Sequence, residues 1–273
     1  MVILDRGVDR RQPAMVDNQM SDRNIKLLIE YCGTRFSGWQ KQTNATTIQE
    51  EITKAIQKVT GQTVNVVAAG RTDAGVHAIG QVANFHIDHD LPAERFAPAL
   101  NYHLDDDILI RSSVAASDEF HARFDAVSKR YRYLISPDPS ALWRARRWRY
   151  PKTLDFSGLQ QAAGAIVGEH DFAPFCVVSS LKENNVCRIE HSRWNRVGPL
   201  LIYEIRGNRF LHNMVRSLVG AMVNLATRNP DGNSLNLTLA DFENIIRSTD
   251  RKRVVFTAPP HGLYLVSVRY DKG

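Results

Sequence analysis

Residues 64–87 read VNVVAAGRTDAGVHAIGQVANFHI. β-forming residues fill both ends, and a turn bracketed by glycines fills the middle. Val64–Ala68 predicts one strand and Gln81–Ile87 a second. In the second, Ala83, Phe85 and Ile87 alternate with Val82, Asn84 and His86, the pattern of a half-buried strand. Between them, Gly70-Arg71-Thr72-Asp73-Ala74-Gly75-Val76-His77 sets a carboxylate between two glycines, with an arginine two positions before it. Glycine lets a backbone turn tightly and approach a ligand closely. A nearby guanidinium favours the charged form of a carboxylate, and a charged carboxylate can act as nucleophile or base. Asp-x-Gly is equally the signature of an ordinary turn in which the aspartate bonds its own backbone. On turn chemistry alone both readings stand.

Outward from this stretch, strands and helices interleave. Ile25–Tyr31 predicts a strand. A helix begins at Thr46–Thr47, with Gln49 and Glu50 placed for a capping box and with Ile48, Ile52, Ala55, Ile56 and Val59 on its buried face. Pro92–Asn101 reads as helix, and Ile108–Val114 and Ser128–Ile135 as strands. In the second half, Phe156–Val167 is a helix stopped at Gly168. Cys187–Asn195 and Leu200–Ile205 pair across Gly198–Pro199. Phe210–Thr227 and Leu239–Ser248 are helices, and Leu263–Val268 is a closing strand. The helices are too few for a crossover after every strand, so the fold class is α+β, with helices on one face of a mainly antiparallel sheet. Three parts follow: a disordered N-terminal arm at 1–22, with Met20 as a candidate natural start, and two α/β halves at 23–140 and 141–273 that meet near Pro137–Ala145.

Composition narrows the function classes. Of 273 residues, 43% are hydrophobic, enough for a core, and the formal charge of +6 favours polyanionic partners such as nucleic acids. No stretch approaches the roughly 20 apolar residues of a membrane span, and no secretory signal is visible. Cys32, Cys176 and Cys187 are odd in number and lack metal spacing, which fits a reducing cytoplasm and argues against a disulfide framework or zinc site. No other metal or nucleotide motif is present.

Several cations gain meaning from their setting. Lys129-Arg130-Tyr131-Arg132-Tyr133 puts Lys129, Tyr131 and Tyr133 on one face of a strand and Arg130 and Arg132 on the other. Such alternation suits stacked bases and phosphates, and suits a solvated β-strand equally. Trp143–Tyr150, with Arg144, Arg146, Arg147 and Arg149, is a second basic and aromatic run, although Trp148 and Tyr150 fit a strand core as well. Arg251-Lys252-Arg253 is a third cluster. Arg216 lies in an otherwise apolar helix, where it either meets a carboxylate, Asp73 being the candidate, or faces solvent. His77 and His86 are assigned structural places rather than catalysis.

Taken in order, these segments resemble the tRNA pseudouridine synthase A family. The resemblance is carried by Glu30-Tyr31 to Gly38-Trp39-Gln40, Gly70–His77, Phe120-His121-Ala122-Arg123-Phe124, Lys129–Tyr133, Phe210-Leu211-His212-Asn213-Met214-Val215-Arg216 and Gly262-Leu263-Tyr264-Leu265, over about residues 24–270. It implies the pseudouridine synthase fold, two α/β halves around a central RNA-binding cleft. It implies that Asp73 is the catalytic carboxylate, that Tyr131 packs against the target uracil, and that Arg71 binds RNA and keeps the target nucleotide extruded. It implies that Arg216 pairs with Asp73. Lys129, Arg130, Arg144, Arg146 and Arg147 are the further RNA-binding candidates. The implied substrate is uridine at tRNA positions 38 to 40, in the anticodon arm. The implied assembly is a homodimer whose RNA touches both subunits, and no metal or cofactor is implied. Cys32, where the family usually has aspartate, and Val254-Val255-Phe256 depart from the pattern without touching these residues.

Two rivals come from other classes. A non-catalytic RNA-binding protein explains the charge and leaves the glycine-bracketed Asp73 without a purpose. A glycoside hydrolase also acts at a sugar C1′ and ordinarily needs a pair of carboxylates, whereas Asp105-Asp106-Asp107 reads as a solvated turn.

Overall fold

Tyr31, Ala78, Leu265, Tyr131 and Ile205 stand side by side in one row that crosses five strands. All five are buried, because side chains alternate along a strand and this row faces the helices. The computed structural model describes residues 22–227, 237–248 and 256–271. Of the expected arm only Asp22 is among them, and Met20, Arg251–Arg253 and Val254-Val255 lie outside the described residues. The elements run β1 (Arg23–Tyr31), α1 (Ile48–Thr60), β2 (Val67–Ala68), β3 (His77–Ile87), α2 (Phe96–Asn101), β4 (Ile108–Ala115), β5 (Ala126–Ser136) and β6 (Trp148–Arg149). They continue with α3 (Phe156–Ala165), β7 (Gly168–Asp171), β8 (Val186–Val197), β9 (Leu200–Gly207), α4 (Met214–Ala226), α5 (Leu239–Arg247) and β10 (Leu263–Tyr270). One sheet takes the order β4-β1-β3-β10-β5-β9-β8-β7, with β2 on β3 and β6 on β5. Pairing is antiparallel except at β10–β3 and β5–β6. The fold is therefore α+β, as the interleaved pattern implied, and β10 joins β3 to β5.

One continuous core holds apolar side chains from the helix-facing side of the sheet and from all five helices. Helix α1 contributes Ile48, Ile52, Ala55 and Ile56, the spacing expected of a helix with one apolar stripe. The expected capping box does not form. Thr47 makes no side-chain capping bond. Instead Ile48 and Gln49 donate their N–H groups to the carbonyls of Gly38 and Trp39, so a neighbouring loop satisfies the helix start. Gln49 is spent elsewhere, accepting from the Lys41 N–H and donating to the Val66 carbonyl.

Two further expectations change. Val64–Ala68 shortens to the two residues of β2. β3 is buried on both faces rather than one: Val82 is 5% and Asn84 3% exposed. The 116–125 connection covers the second face, where Ala69, Val82 and Ala122 form a small cluster. Asn84 is satisfied there. Its Oδ1 accepts the Ala122 N–H at 2.9 Å, and its Nδ2 donates to Asn24 Oδ1 at 2.9 Å and the Phe120 carbonyl at 3.2 Å. Cys32, Cys176 and Cys187 are free thiols, and among the described residues no helix is long and apolar enough to cross a membrane.

Removing the Asn84 amide orphans the Ala122 N–H and Asn24 Oδ1. Each unsatisfied buried group costs about 1–3 kcal/mol, so Asn84→Ala is expected to lower unfolding stability by about 2–4 kcal/mol in urea titration. A loss under about 0.5 kcal/mol would show that this network does not hold the second face.

Candidate active site

The glycine-bracketed turn joins β2 to β3 and is pinned along its length. Gln81 donates to the Gly70 carbonyl at 2.7 Å. The Thr72 hydroxyl bonds the Tyr31 hydroxyl at 2.7 Å, and the Thr72 carbonyl accepts the Trp39 N–H at 3.0 Å. The turn closes through Val76 N–H to the Asp73 carbonyl, with Gly75 at φ +77°, a conformation that glycine adopts without steric cost. Gly38, at φ +93°, lies beneath it, and a Cβ there would stand 2.7 Å from the Thr72 carbonyl oxygen. Burial pushes the Tyr31 phenol up to about 12, so Tyr31 serves here as a neutral hydrogen-bonding anchor.

Asp73 projects from this turn with 23% of its side chain exposed, against an Arg216 side chain that is 16% exposed. Arg216 Nη1 donates to Asp73 Oδ2 at 3.0 Å and to Asn213 Oδ1 at 2.9 Å, and its Nε donates to the Ala258 carbonyl at 2.9 Å. Arg216 thus faces Asp73 rather than solvent. The same contact explains why α4 begins at Met214 and not at Phe210: Asn213 takes a left-handed conformation, φ 62°, and gives its side chain to Arg216 instead of to the helix N-terminus. The pair is partly buried, so its loss costs less than the ~3–5 kcal/mol of a fully buried one. Here Asn213 and Ala258 would still hold the guanidinium if Asp73 lost its charge.

The pair opens into a cavity of about 1040 Å³ lined by Arg71, Asp73, Lys129, Tyr131 and Arg216. That is at the upper end of small-molecule sites, about 300–1,000 Å³. Tyr131 is 7% exposed and packs edge-on to Phe210, with centroids 5.1 Å apart. Burial, then the nearby Tyr31 and Asp73, pushes its phenol far above the usual range, so it offers a neutral ring. Burial, with Arg123 adding to it, lowers the Lys129 ammonium. Arg71 is exposed at the lip. Arg123, Lys182 and Arg209 also line the cavity, giving six Lys and Arg around Asp73, the lone carboxylate among the described lining residues. A two-carboxylate glycosidase finds no second acid there. Among the described residues no group of three or more His, Cys, Asp or Glu is placed to hold a metal ion.

Not every candidate converges. Arg130 sits opposite Arg206 in the β5–β9 ladder, on the face away from Tyr131. Arg144 and Arg147 line a separate depression with Trp143, Trp148 and His261. The Arg146 carbonyl accepts the Tyr264 hydroxyl. His77 is structural, as expected. It is 2% exposed, its Nδ1 accepts the Gly33 N–H at 3.1 Å, and its ring stacks on Tyr264. Two residues without an expected role do converge: His212, whose Nε2 is 3.5 Å from Asp73 Oδ1, and the exposed Phe124 on the rim, against which His121 stacks at 4.3 Å. Both sit in motifs quoted above. Lys182 lies in an irregular loop without a local signal.

The family model described as tRNA pseudouridine synthase matches residues 27–125 and 162–271. These segments carry Asp73 and Arg216, the two partners of the ion pair. The chain belongs to the tRNA pseudouridine synthase family. It is 44% identical over 250 residues to the tRNA pseudouridine synthase A of Acetivibrio thermocellus, covering 91% of this chain and 100% of the relative. It is 41% identical over 251 residues to that of Ruminiclostridium cellulolyticum, again covering 91% and 100%. The corresponding protein of Geotalea daltonii is 40% identical over 250 residues, with the same coverage. These relatives are matched along their whole length, whereas the family model leaves out 126–161, the stretch that holds Tyr131 and the Trp143–Tyr150 run. As a tRNA pseudouridine synthase, the chain is an isomerase, and its cavity has the excess of cations that an RNA substrate requires.

The contact of Gly38 with Thr72 tests whether turn geometry governs activity. Gly38→Ala is expected to cost about 1–3 kcal/mol in stability and to lower kcat at least about tenfold. Gly61, at φ +75° with nothing within 4 Å, is the control: Gly61→Ala should lower Tm while leaving kcat intact. Equal rates for the two variants would detach the turn from the chemistry.

Proposed function

We propose that this chain converts uridine to pseudouridine in the anticodon arm of tRNA, at positions 38 to 40, with Asp73 as the catalytic carboxylate. The observation that carries the proposal is a single acid, paired with Arg216 and set beside a neutral tyrosine ring, in a cavity whose other charged lining residues are lysines and arginines.

The chemistry fits that inventory. The N1–C1′ bond breaks, the uracil turns, and a C5–C1′ bond forms; C5 releases a proton and N1 takes one up. Nothing is oxidised. Asp73 supplies the carboxylate that this exchange needs beside C1′, as nucleophile or as base. Tyr131 gives the freed uracil a flat surface, and Phe210 braces that ring edge-on. Target extrusion costs a few kcal/mol. Arg71, exposed at the lip, occupies the space that the base leaves, while Lys129, Arg123, Lys182 and Arg209 meet phosphates. Arg130, Arg144, Arg146 and Arg147, outside the cavity, contact RNA farther from the target.

The two halves, 23–140 and 141–273, divide the work: the first brings Asp73 and Tyr131, the second Arg216. The assembly is a homodimer with tRNA touching both subunits, and the enzyme works in the cytoplasm. Support for these last points comes from the family resemblance and, for the compartment, from three free thiols.

Asp73→Asn should abolish pseudouridine formation, leave tRNA binding within about threefold, and keep Tm near wild type, since Arg216 retains two other acceptors. Wild-type turnover by that variant would remove Asp73 from the chemistry. Release of free uracil in place of pseudouridine would assign the cavity to a glycosidase. Tyr131→Phe should keep partial activity and Tyr131→Leu lose nearly all; indistinguishable rates would exclude a stacking role.

A further inference from the structure

Asp73 has a second neighbour. Arg216 takes Asp73 Oδ2, and His212 faces the other oxygen, its Nε2 standing 3.5 Å from Oδ1. The ring's other nitrogen, Nδ1, lies 2.8 Å from the Ser180 hydroxyl oxygen. The His212 carbonyl also accepts the Val177 N–H at 3.2 Å, so the segment 177–180 holds His212 at two points. A carboxylate offers only lone pairs, so Nε2 must carry a proton to bond it, while Nδ1 and the Ser180 hydroxyl share the ring's other hydrogen bond. At 3.5 Å the Nε2 contact is long for a hydrogen bond. Catalytic contacts are often this loose before substrate closes over them.

We propose that His212, oriented by Ser180, is a positioning residue for Asp73. With Arg216 bonded to one oxygen and His212 Nε2 set against the other, the carboxylate has less freedom to turn about its Cβ–Cγ bond. Its remaining lone pairs are held at a fixed angle to the cavity, where a ribose carbon must be met within a few tenths of an ångström. Arg216 supplies charge and one fixed oxygen, and His212 fixes the second. The proposal rests on Asp73 being the catalytic carboxylate.

The test is steady-state kinetics on unmodified tRNA with His212→Ala, His212→Gln, Ser180→Ala and the Ser180→Ala/His212→Ala double variant, beside Asp73→Asn. His212→Ala should lower kcat about 10- to 100-fold and leave KM for tRNA within about threefold. His212→Gln, which keeps an N–H at similar reach, should recover most of that loss. Ser180→Ala should lower kcat several-fold alone and add nothing once His212 is alanine, because the two act as one unit. A raised KM with unchanged kcat would make His212 a phosphate contact and overturn the proposal, as would losses that multiply in the double variant. Should His212→Ala fail to fold, the half-buried Ser180→Ala and the His212→Gln variants decide alone: an unchanged kcat in Ser180→Ala overturns the proposal. An inert Asp73→Asn beside a fully active His212→Ala refutes this inference alone, whereas an active Asp73→Asn refutes the catalytic assignment beneath it.

Discussion

The Asp73 carboxylate and the Arg216 guanidinium come from positions 143 residues apart in the chain and meet at 3.0 Å, both only partly open to water. Much of the surrounding architecture keeps that meeting possible. Helix α4 starts late so that Asn213 can share the guanidinium, and the Ala258 carbonyl closes on it from the segment before β10. On the other side, Tyr31, Trp39, Phe36 and Gln81 fix the turn that carries the acid. A pair so supported gives specificity of geometry rather than stability, which is the usual balance for charges withdrawn from water.

Electrostatics then sorts the cavity by partner and by chemistry. Six cations draw in a polyanion, while a single carboxylate restricts what can be done to it. Tyr131 complements this. Because burial holds its phenol neutral, the ring lines the cavity as an apolar plane without adding a second titrating group beside Asp73. The cations outside the cavity, on β5 and in the Trp143–Tyr150 run, extend the positive surface without entering the site.

Much of this was legible in the residues. The β-forming residues of β1, β3 and β5 marked those strands, and the two glycines around Asp73 marked the turn, because propensity and backbone freedom are local properties. The roles of Asp73, Tyr131, Arg71 and Arg216 came from the ordered resemblance rather than from any one motif. What stayed hidden was created by packing across the fold. The second buried face of β3 depends on the aperiodic 116–125 segment. The start of α1 is satisfied by carbonyls from a loop ten residues earlier. Ser180 and Lys182 reach the cavity from irregular chain that carries no pattern, and His212 is recognisable only once Ser180 stands beside it.

The position of β10 carries a consequence for biogenesis. This strand, at residues 263–270, is the seam between β3 and β5, so during translation the two sides of the sheet wait with exposed edges until it emerges. Long-range closure of this kind is slow and leaves nascent chains open to aggregation. A chain cut before residue 263 would lack the strand that sets β3 beside β5, and with it the frame that brings the Asp73 turn to the same cavity as Tyr131.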